Sequence, residues 1–182
     1  MNLPNAITLF RIALVPVFLV FLIQSRYGLA VGVFVVAGLT DAIDGAIARL
    51  MNKKTTLGAL LDPLADKFLV LTAFIALALM GRLPLWLAGM VLARDAAIIA
   101  GCFYFYRLGF GGALRPTALG KLTTFVLIVL LLSALAGLYT GRQFALTEYL
   151  SGLAAALLAV SGFQYIIRGF SIIYGKKNNL AG

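Results

Sequence analysis

Long apolar runs constrain the fold of this chain more than any other feature of its sequence. Six of them, separated by short polar or glycine-containing segments, are close to or above the ~20 residues with which an α-helix crosses a bilayer. They cover residues 7–23, 28–50, 58–80, 85–106, 118–139 and 145–174. The sequence therefore predicts an all-α, polytopic membrane protein with six transmembrane helices in one bundle, forming a single membrane-embedded domain over residues 1–182.

Composition and charge exclude several classes of protein. Of the 182 residues, 63% are hydrophobic and only 12% are charged, whereas about a quarter of a soluble domain is charged. The absence of histidine and the single cysteine, Cys102, exclude histidine-based zinc sites and a disulfide within the chain.

The net charge of +9 is explained by the distribution of basic residues across a membrane and does not predict a nucleic-acid partner. Of the 15 basic residues, 11 lie towards the side that carries both termini and 3 towards the other, with Arg94 near mid-span unassigned. The positive-inside rule then predicts that both termini lie on the cytoplasmic side of a bacterial-type inner membrane.

Four of the six acidic residues lie in the second and third apolar runs. Asp41 and Asp44 are spaced i,i+3 and Asp62 and Asp66 are spaced i,i+4, so each pair shares one face of its helix. Asp44 and Asp62 lie roughly 6–9 Å from the cytoplasmic helix ends. Because the linking segment is short, we expect the two helices to be antiparallel neighbours whose acidic faces form one pocket open to the cytoplasm.

Carboxylates inside a membrane need compensation, because each costs at least ~2.5–3.5 kcal/mol and four together repel one another. Hard divalent cations such as Mg²⁺, Mn²⁺ or Ca²⁺ suit these oxygen ligands. Four carboxylates are enough to hold two ions while leaving positions for a phosphate, and Gly45 lets a phosphate or base approach the backbone. The residues therefore indicate metal-assisted phosphoryl chemistry or cation transport. Their clustering at one end, not at the midplane, favours chemistry over a small cation-coupled transporter.

The acidic pattern also resembles the signature of the CDP-alcohol phosphatidyltransferases. It consists of Asp41, Asp44, Gly45, Ala48, Arg49, then eight residues, Gly58, three residues, Asp62, three residues and Asp66. Every defining position of that signature is matched without a gap. The chain length, the six spans and the Asn-Ala-Ile-Thr-Leu-Phe-Arg start at residues 5–11 also fit this family.

The resemblance implies transfer of a phosphatidyl group from CDP-diacylglycerol to an alcohol hydroxyl, with release of CMP, by a homodimer. It implies that Asp41, Asp44 and Asp62 bind two divalent cations, Mg²⁺ or Mn²⁺. Asp66 would contact one of the two ions and take the proton from the attacking hydroxyl. The residues implied in CDP binding are Asn5, Thr8, Asp41, Gly45, Ala48, Arg49 and Gly58.

Basic residues outside the motif indicate an anionic acceptor. Arg94, deep in an apolar run beside Asp95, Lys121, near the start of the fifth run, and Arg115 are predicted to bind it. Arg107 lies at a span end, where a basic side chain ordinarily extends to the membrane surface.

The family branch that the chain resembles most uses glycerol 3-phosphate and makes phosphatidylglycerophosphate. The Asn-Leu-Pro-Asn start and residues 61–67 carry this likeness. Two departures resemble instead the cardiolipin-forming branch, whose acceptor is phosphatidylglycerol. The second lysine of a Gly-Lys-x-Lys-Thr stretch is Thr123 here, and Asp95 stands where a glutamate is frequent. Glycerol 3-phosphate is thus the predicted acceptor and phosphatidylglycerol the alternative.

Overall fold

Six helices make up the part of the chain that the computed structural model describes. It describes residues 3–51, 56–107 and 117–179, with side chains for residues 10, 12–40, 67–101, 103–104, 107 and 117–169. The helices are α1 (Leu3–Ile23), α2 (Tyr27–Met51), α3 (Thr56–Leu79), α4 (Leu85–Arg107), α5 (Ala118–Thr140) and α6 (Ala145–Asn179). No strand occurs among these residues, so the predicted all-α class is confirmed.

Each predicted apolar run coincides with one helix, and the largest differences are at the two ends of the chain. Helix α1 begins at Leu3 rather than at Ile7, and Pro4 lies in its first turn, where the missing N–H of proline is tolerated. Helix α6 continues to Asn179 through a Gly-Lys-Lys-Asn-Asn stretch. Hydropathy does not detect that stretch, because a helix can continue beyond its apolar part.

Two of the described helices are long and apolar enough to cross a membrane, namely residues 118–140 and 145–169. In the second segment, only 22% of an apolar stretch of 18 residues is buried. Its exposed side chains include Val160, Phe163, Ile166 and Ile167. A core helix of a soluble protein would bury such residues, whereas a helix facing lipid leaves them on its surface. These features support a membrane protein.

Among the described residues, three helices end in a left-handed residue that stops the helix. Gly81 has φ 70°. Its N–H donates to the carbonyl of Ala78 (3.0 Å), and the N–H of Arg82 donates to the carbonyl of Leu77 (2.9 Å). This pair of bonds is the Schellman motif. Gly141 and Ser25, at the ends of α5 and α1, also have positive φ values of 69° and 57°. The next helix therefore begins within a few residues at each of these three turns.

The chain divides into two compact units, of which the first comprises residues 1–83 and 131–144. In this unit α1 packs against both α2 and α3. The rings of Phe18 and Phe34 lie 6.0 Å apart at 46°, joining α1 to α2. The other buried side chains in this unit include Leu22, Ala30, Ala37, Leu69, Ala73, Phe74, Leu77, Leu131 and Leu135. Helix α1 is thus the common support of the two helices that carry the aspartate motif.

The second unit comprises residues 84–130 and 145–182, and α4 packs against α6 within it. Its buried hydroxyls bond to their own helices. Thr123 Oγ1 donates to the carbonyl of Leu119 (2.8 Å), and Ser161 Oγ donates to the carbonyl of Leu158 (3.2 Å). Its buried apolar side chains include Leu87, Val91, Val126, Leu130, Ala154 and Leu158.

A methyl group at Gly137 is expected to destabilise the first unit. A Cβ there would lie 2.8 Å from the backbone carbonyl oxygen of Arg142, which cannot rotate away as a side chain could. Gly137→Ala should cost about 1–3 kcal/mol of stability, measured as a lower melting temperature in detergent. Gly38→Ala is the control, because no atom of the described residues lies within 4 Å of the place its Cβ would take. Equal melting of Gly137→Ala and the wild type would contradict the expectation.

Candidate functional site

The four motif aspartates lie on two helices of the first unit. Asp41 and Asp44 belong to α2, and Asp62 and Asp66 belong to α3. Both helices are continuous at these positions, so the i,i+3 and i,i+4 spacings keep each pair on one helix face. The side chains of all four aspartates lie outside the described residues. The predicted shared metal pocket therefore stays a prediction.

The other residues implied in CDP binding are placed by helix alone. Asn5 and Thr8 lie on α1, Gly45, Ala48 and Arg49 lie on α2, and Gly58 lies on α3. Their side-chain surroundings, and Arg115 altogether, lie outside the described residues. Their predicted roles remain predictions.

The structure describes the side chain of Arg94, which belongs to the second unit and is almost completely buried. Its side chain is 9% exposed, and Nη1 donates to Oδ1 of Asp95 at 2.8 Å. Nε is also buried and has no hydrogen-bond partner among the residues that the structure describes. A buried N–H without an acceptor costs about 1–3 kcal/mol. The guanidinium therefore keeps donor capacity beyond its ion pair with Asp95.

The first turn of α5 is capped by Thr117, which is 3% exposed. Its Oγ1 accepts a hydrogen bond from the N–H of Gly120 at 2.9 Å, and its carbonyl accepts from the N–H of Lys121 at 3.0 Å. This is the N-cap arrangement, in which a threonine oxygen satisfies the third amide of the helix. The amides of Ala118 and Leu119 have no acceptor within the helix, and the positive end of the helix dipole lies there.

Three side chains converge on Gly120. A Cβ at this glycine would lie 3.1 Å from Thr117 Oγ1, 3.3 Å from Arg94 Nη2 and 3.3 Å from the hydroxyl of Tyr165. Tyr165 lies on α6, and its ring centroid is 6.0 Å from Cζ of Arg94. The missing side chain of Gly120 thus permits the close approach of α4, α5 and α6.

The structure separates the predicted acceptor residues into different environments. Arg94 lies beside the first turn of α5, which also carries Lys121, but the Lys121 side chain is exposed. Arg107 is exposed, and its Cζ lies 5.0 Å from the ring centroid of Phe103. This exposure fits the surface position predicted for Arg107.

Sequence reasoning missed Tyr165 and Thr117. A threonine immediately before a long apolar run is a helix N-cap signal, so Thr117 could have been found. Tyr165 follows Gln164 within an apolar stretch, and a polar pair there is a weak signal. Nothing in the sequence pairs Tyr165 with Arg94, because that contact depends on the packing of α6 against α4.

The arrangement around Arg94 has the chemistry of an oxyanion receptor. The Nε and Nη2 groups of a guanidinium form one edge with parallel N–H bonds, which matches the two oxygens of a phosphate or carboxylate. Asp95 engages the opposite nitrogen, Nη1. The nearby helix N-terminus adds positive potential, as anion sites at such termini do. The described residues thus provide a candidate site for an anionic group.

Comparison with known proteins places the chain in a family. The family model for CDP-alcohol phosphatidyltransferase matches residues 1–164. Cardiolipin synthase (CMP-forming) of Homo sapiens is 35% identical over 151 residues, which cover 74% of this chain and 50% of the human protein. The CDP-diacylglycerol–glycerol-3-phosphate 3-phosphatidyltransferases of Bacillus subtilis and Aquifex aeolicus are 32% and 31% identical, and the matches cover 94% and 96% of this chain.

The lengths of these relatives differ. The chain spans about half the length of the human and rat cardiolipin synthases that it matches. Its matches cover 97% of the Bacillus subtilis protein and 99% of the Aquifex aeolicus protein. The residues matched by the family model include all four motif aspartates, Arg94 and Gly120, and they end immediately before Tyr165. The chain belongs to the CDP-alcohol phosphatidyltransferase family.

Proposed function

We propose that this protein transfers the phosphatidyl group of CDP-diacylglycerol to an alcohol hydroxyl and releases CMP, as an enzyme of phospholipid biosynthesis. The observation that carries the proposal is the family match over residues 1–164, which includes the complete aspartate motif. The names of the Bacillus subtilis and Aquifex aeolicus relatives describe this transfer with glycerol 3-phosphate as acceptor.

The aspartates are proposed to hold two divalent cations, Mg²⁺ or Mn²⁺. Carboxylates are the hard oxygen donors that these ions prefer, so the donor set fits. Asp41, Asp44 and Asp62 are the ligands of the pair, and Asp66 contacts one ion. When bound, such ions neutralise the diphosphate and stabilise negative charge on the departing CMP.

The residues of the chain are proposed to orient the substrates and move one proton. Asp66 takes the proton of the acceptor hydroxyl, whose oxygen forms a bond to the phosphorus of the phosphatidyl group. The bond from that phosphorus to the bridging oxygen breaks, and CMP leaves with the electron pair. The residues proposed to hold the CDP portion are Asn5, Thr8, Asp41, Gly45, Ala48, Arg49 and Gly58.

The acceptor is proposed to be glycerol 3-phosphate, held by Arg94 together with Lys121 and Arg115. The buried Arg94, with an Nε lacking a partner among the described side chains, supports an anionic acceptor over a neutral one. Phosphatidylglycerol is the second candidate, which would make the protein a cardiolipin synthase. The Arg94-Asp95 pair, the threonine at position 123 and the likeness to the human cardiolipin synthase favour this alternative.

The proposed enzyme is an integral membrane protein built as one domain over residues 1–182. All six helices cross the bilayer in one bundle, and both termini and the active site lie on the cytoplasmic side. The distribution of basic residues supports this orientation. The protein acts as a homodimer, as the family resemblance implies.

The function is tested by incubating purified protein with CDP-diacylglycerol, Mg²⁺ and labelled glycerol 3-phosphate, and in parallel with phosphatidylglycerol. CMP release that requires one acceptor supports the transferase and identifies that acceptor. Ion-driven uptake into proteoliposomes without any CMP release would instead support the small cation-coupled transporter.

Replacement of Arg94 is expected to weaken acceptor binding selectively. A hydrogen-bonded charge contributes about 1.5–3 kcal/mol, so Arg94→Gln should raise the KM for the acceptor roughly 10- to 100-fold. The KM for CDP-diacylglycerol should change little. Arg142→Gln, which removes an exposed arginine at the start of the α5–α6 connection, is the control.

Arg94→Lys is a second variant that tests the same role if Arg94→Gln does not fold. Lysine keeps the charge beside Asp95 but loses the planar edge of the guanidinium, so its acceptor KM should also rise. An unchanged acceptor KM in a folded Arg94→Lys protein would contradict a bidentate role for Arg94.

A further inference from the structure

Arg94 offers one specific edge to an anion. Asp95 engages Nη1, and Nε and Nη2 form the neighbouring edge of the guanidinium. Nε lacks a partner within the described part of the chain, and Nη2 approaches Gly120, 3.3 Å from where a Cβ would lie. The Nη2 end of this edge therefore lies against the first turn of α5.

The first turn of α5 complements this edge. The helix is 23 residues long, and Thr117 Oγ1 already accepts from the third amide, that of Gly120. The first two amides, those of Ala118 and Leu119, lack an acceptor within the helix. Free amides at a helix N-terminus and a guanidinium edge are both donors to phosphate oxygens.

Tyr165, on α6, lies beside the guanidinium of Arg94. Its ring centroid lies 6.0 Å from Cζ of Arg94, at the outer limit of a cation–π contact. Its hydroxyl lies 3.3 Å from the place where a Cβ on Gly120 would be, the same place that Nη2 approaches. Tyr165 and the guanidinium thus pack side by side against the same point of α5.

We infer that Tyr165 is a positioning residue that holds Arg94 against the N-terminus of α5, so that the guanidinium edge and the first two amides of that helix form one phosphate subsite. The inference rests on the proposed function, because it makes this subsite the one that recognises the phosphate of the acceptor. A phosphomonoester such as glycerol 3-phosphate and the phosphodiester of phosphatidylglycerol share this chemistry.

Tyr165→Leu is the principal test. Loss of the ring should raise the KM for the acceptor about 3- to 30-fold, the range of a cation–π contact. The KM for CDP-diacylglycerol and kcat at saturating acceptor should stay near wild type. Tyr165→Phe, which keeps the ring, should restore most of the acceptor affinity. Tyr149→Leu is the matched control, because Tyr149 lies on the same helix with 79% of its surface exposed.

Gly120→Ala provides a second variant. The new methyl would lie 3.1 Å from Thr117 Oγ1 and 3.3 Å from the ends of Arg94 and Tyr165, so all three side chains must move by a few tenths of an ångström. The higher helix propensity of alanine offsets part of the cost of moving these side chains, so the melting temperature should change little while the acceptor KM rises several-fold. Gly152→Ala is the control and should leave both quantities unchanged, because a Cβ at Gly152 would have no described atom within 4 Å.

Binding without turnover separates this inference from the proposed function. Thermal stabilisation by glycerol 3-phosphate, by inorganic phosphate and by phosphatidylglycerol in nanodiscs is measured without CDP-diacylglycerol, in the wild type and in Tyr165→Leu. Stabilisation by one or more of these, weakened in Tyr165→Leu, supports the subsite even if CMP release fails.

Three results would overturn the positioning role. The first is an acceptor KM and stabilisation in Tyr165→Leu equal to those of the wild type. The second is an equal rise in the KM of both substrates, which marks a general structural defect. The third is a wild type that none of the three anions stabilises.

Discussion

Asp66→Asn is expected to lower the rate of CMP release by about 10²–10⁴-fold, the usual contribution of a general base. Asparagine has nearly the shape of aspartate but cannot take the proton of the acceptor hydroxyl. The other three motif aspartates remain, so the variant should still bind CDP-diacylglycerol in the presence of Mg²⁺. The outcome is thus loss of transfer with retention of donor binding.

Single-turnover release of CMP and equilibrium binding of CDP-diacylglycerol measure the two parts of this expectation separately. Glu148→Gln is the matched acid-to-amide control, because Glu148 is exposed in the first turn of α6. Wild-type turnover by Asp66→Asn would remove this residue from the mechanism. Loss of donor binding together with turnover would show that the loss of activity comes from the metal contact of Asp66 and not from its role as the base.

Asp44→Asn should have a different signature, because Asp44 is proposed as a metal ligand. Charge stabilisation by a bound ion is worth several kcal/mol, so CMP release should fall by about 10³-fold at ordinary Mg²⁺ concentrations. The Mg²⁺ concentration for half-maximal activity should rise, and CDP-diacylglycerol binding should weaken with it. This loss of donor binding distinguishes Asp44→Asn from Asp66→Asn.

A titration of activity and donor binding against Mg²⁺ measures that difference, again with Glu148→Gln as control. A normal Mg²⁺ midpoint in Asp44→Asn would contradict its role as a ligand. Chelation of divalent cations from the wild type should reproduce the Asp44→Asn phenotype, and added Mg²⁺ should reverse it.

The helices of this protein are predictable because apolar runs of membrane length specify them directly. The run at residues 118–139 corresponds to α5 almost residue for residue. The end of α6 was not predictable from hydropathy, because its last residues, Gly175 to Asn179, are helical but polar. Local turn chemistry explains ends such as Gly81, where glycine adopts the positive φ that a Schellman motif needs.

The sequence predicts the aspartate motif of the site better than it predicts the surroundings of Arg94. The aspartate motif is compact in sequence, and helical spacing alone puts Asp41 with Asp44 and Asp62 with Asp66. The contacts of Arg94 with Gly120 and Tyr165 join three helices that are distant along the chain. Such contacts depend on tertiary packing, so the sequence marked Arg94 as unusual but did not reveal its neighbours.

We expect the motif aspartates together to hold two divalent cations at which CDP-diacylglycerol is cleaved. Electron paramagnetic resonance of Mn²⁺ bound to the purified protein tests it most directly, because two ions about 3.5–4 Å apart are magnetically coupled. We expect two coupled Mn²⁺ ions per chain, with the coupling lost in Asp44→Asn and retained in Glu148→Gln. A single ion, two uncoupled ions, or a coupled pair unaffected by Asp44→Asn would contradict it.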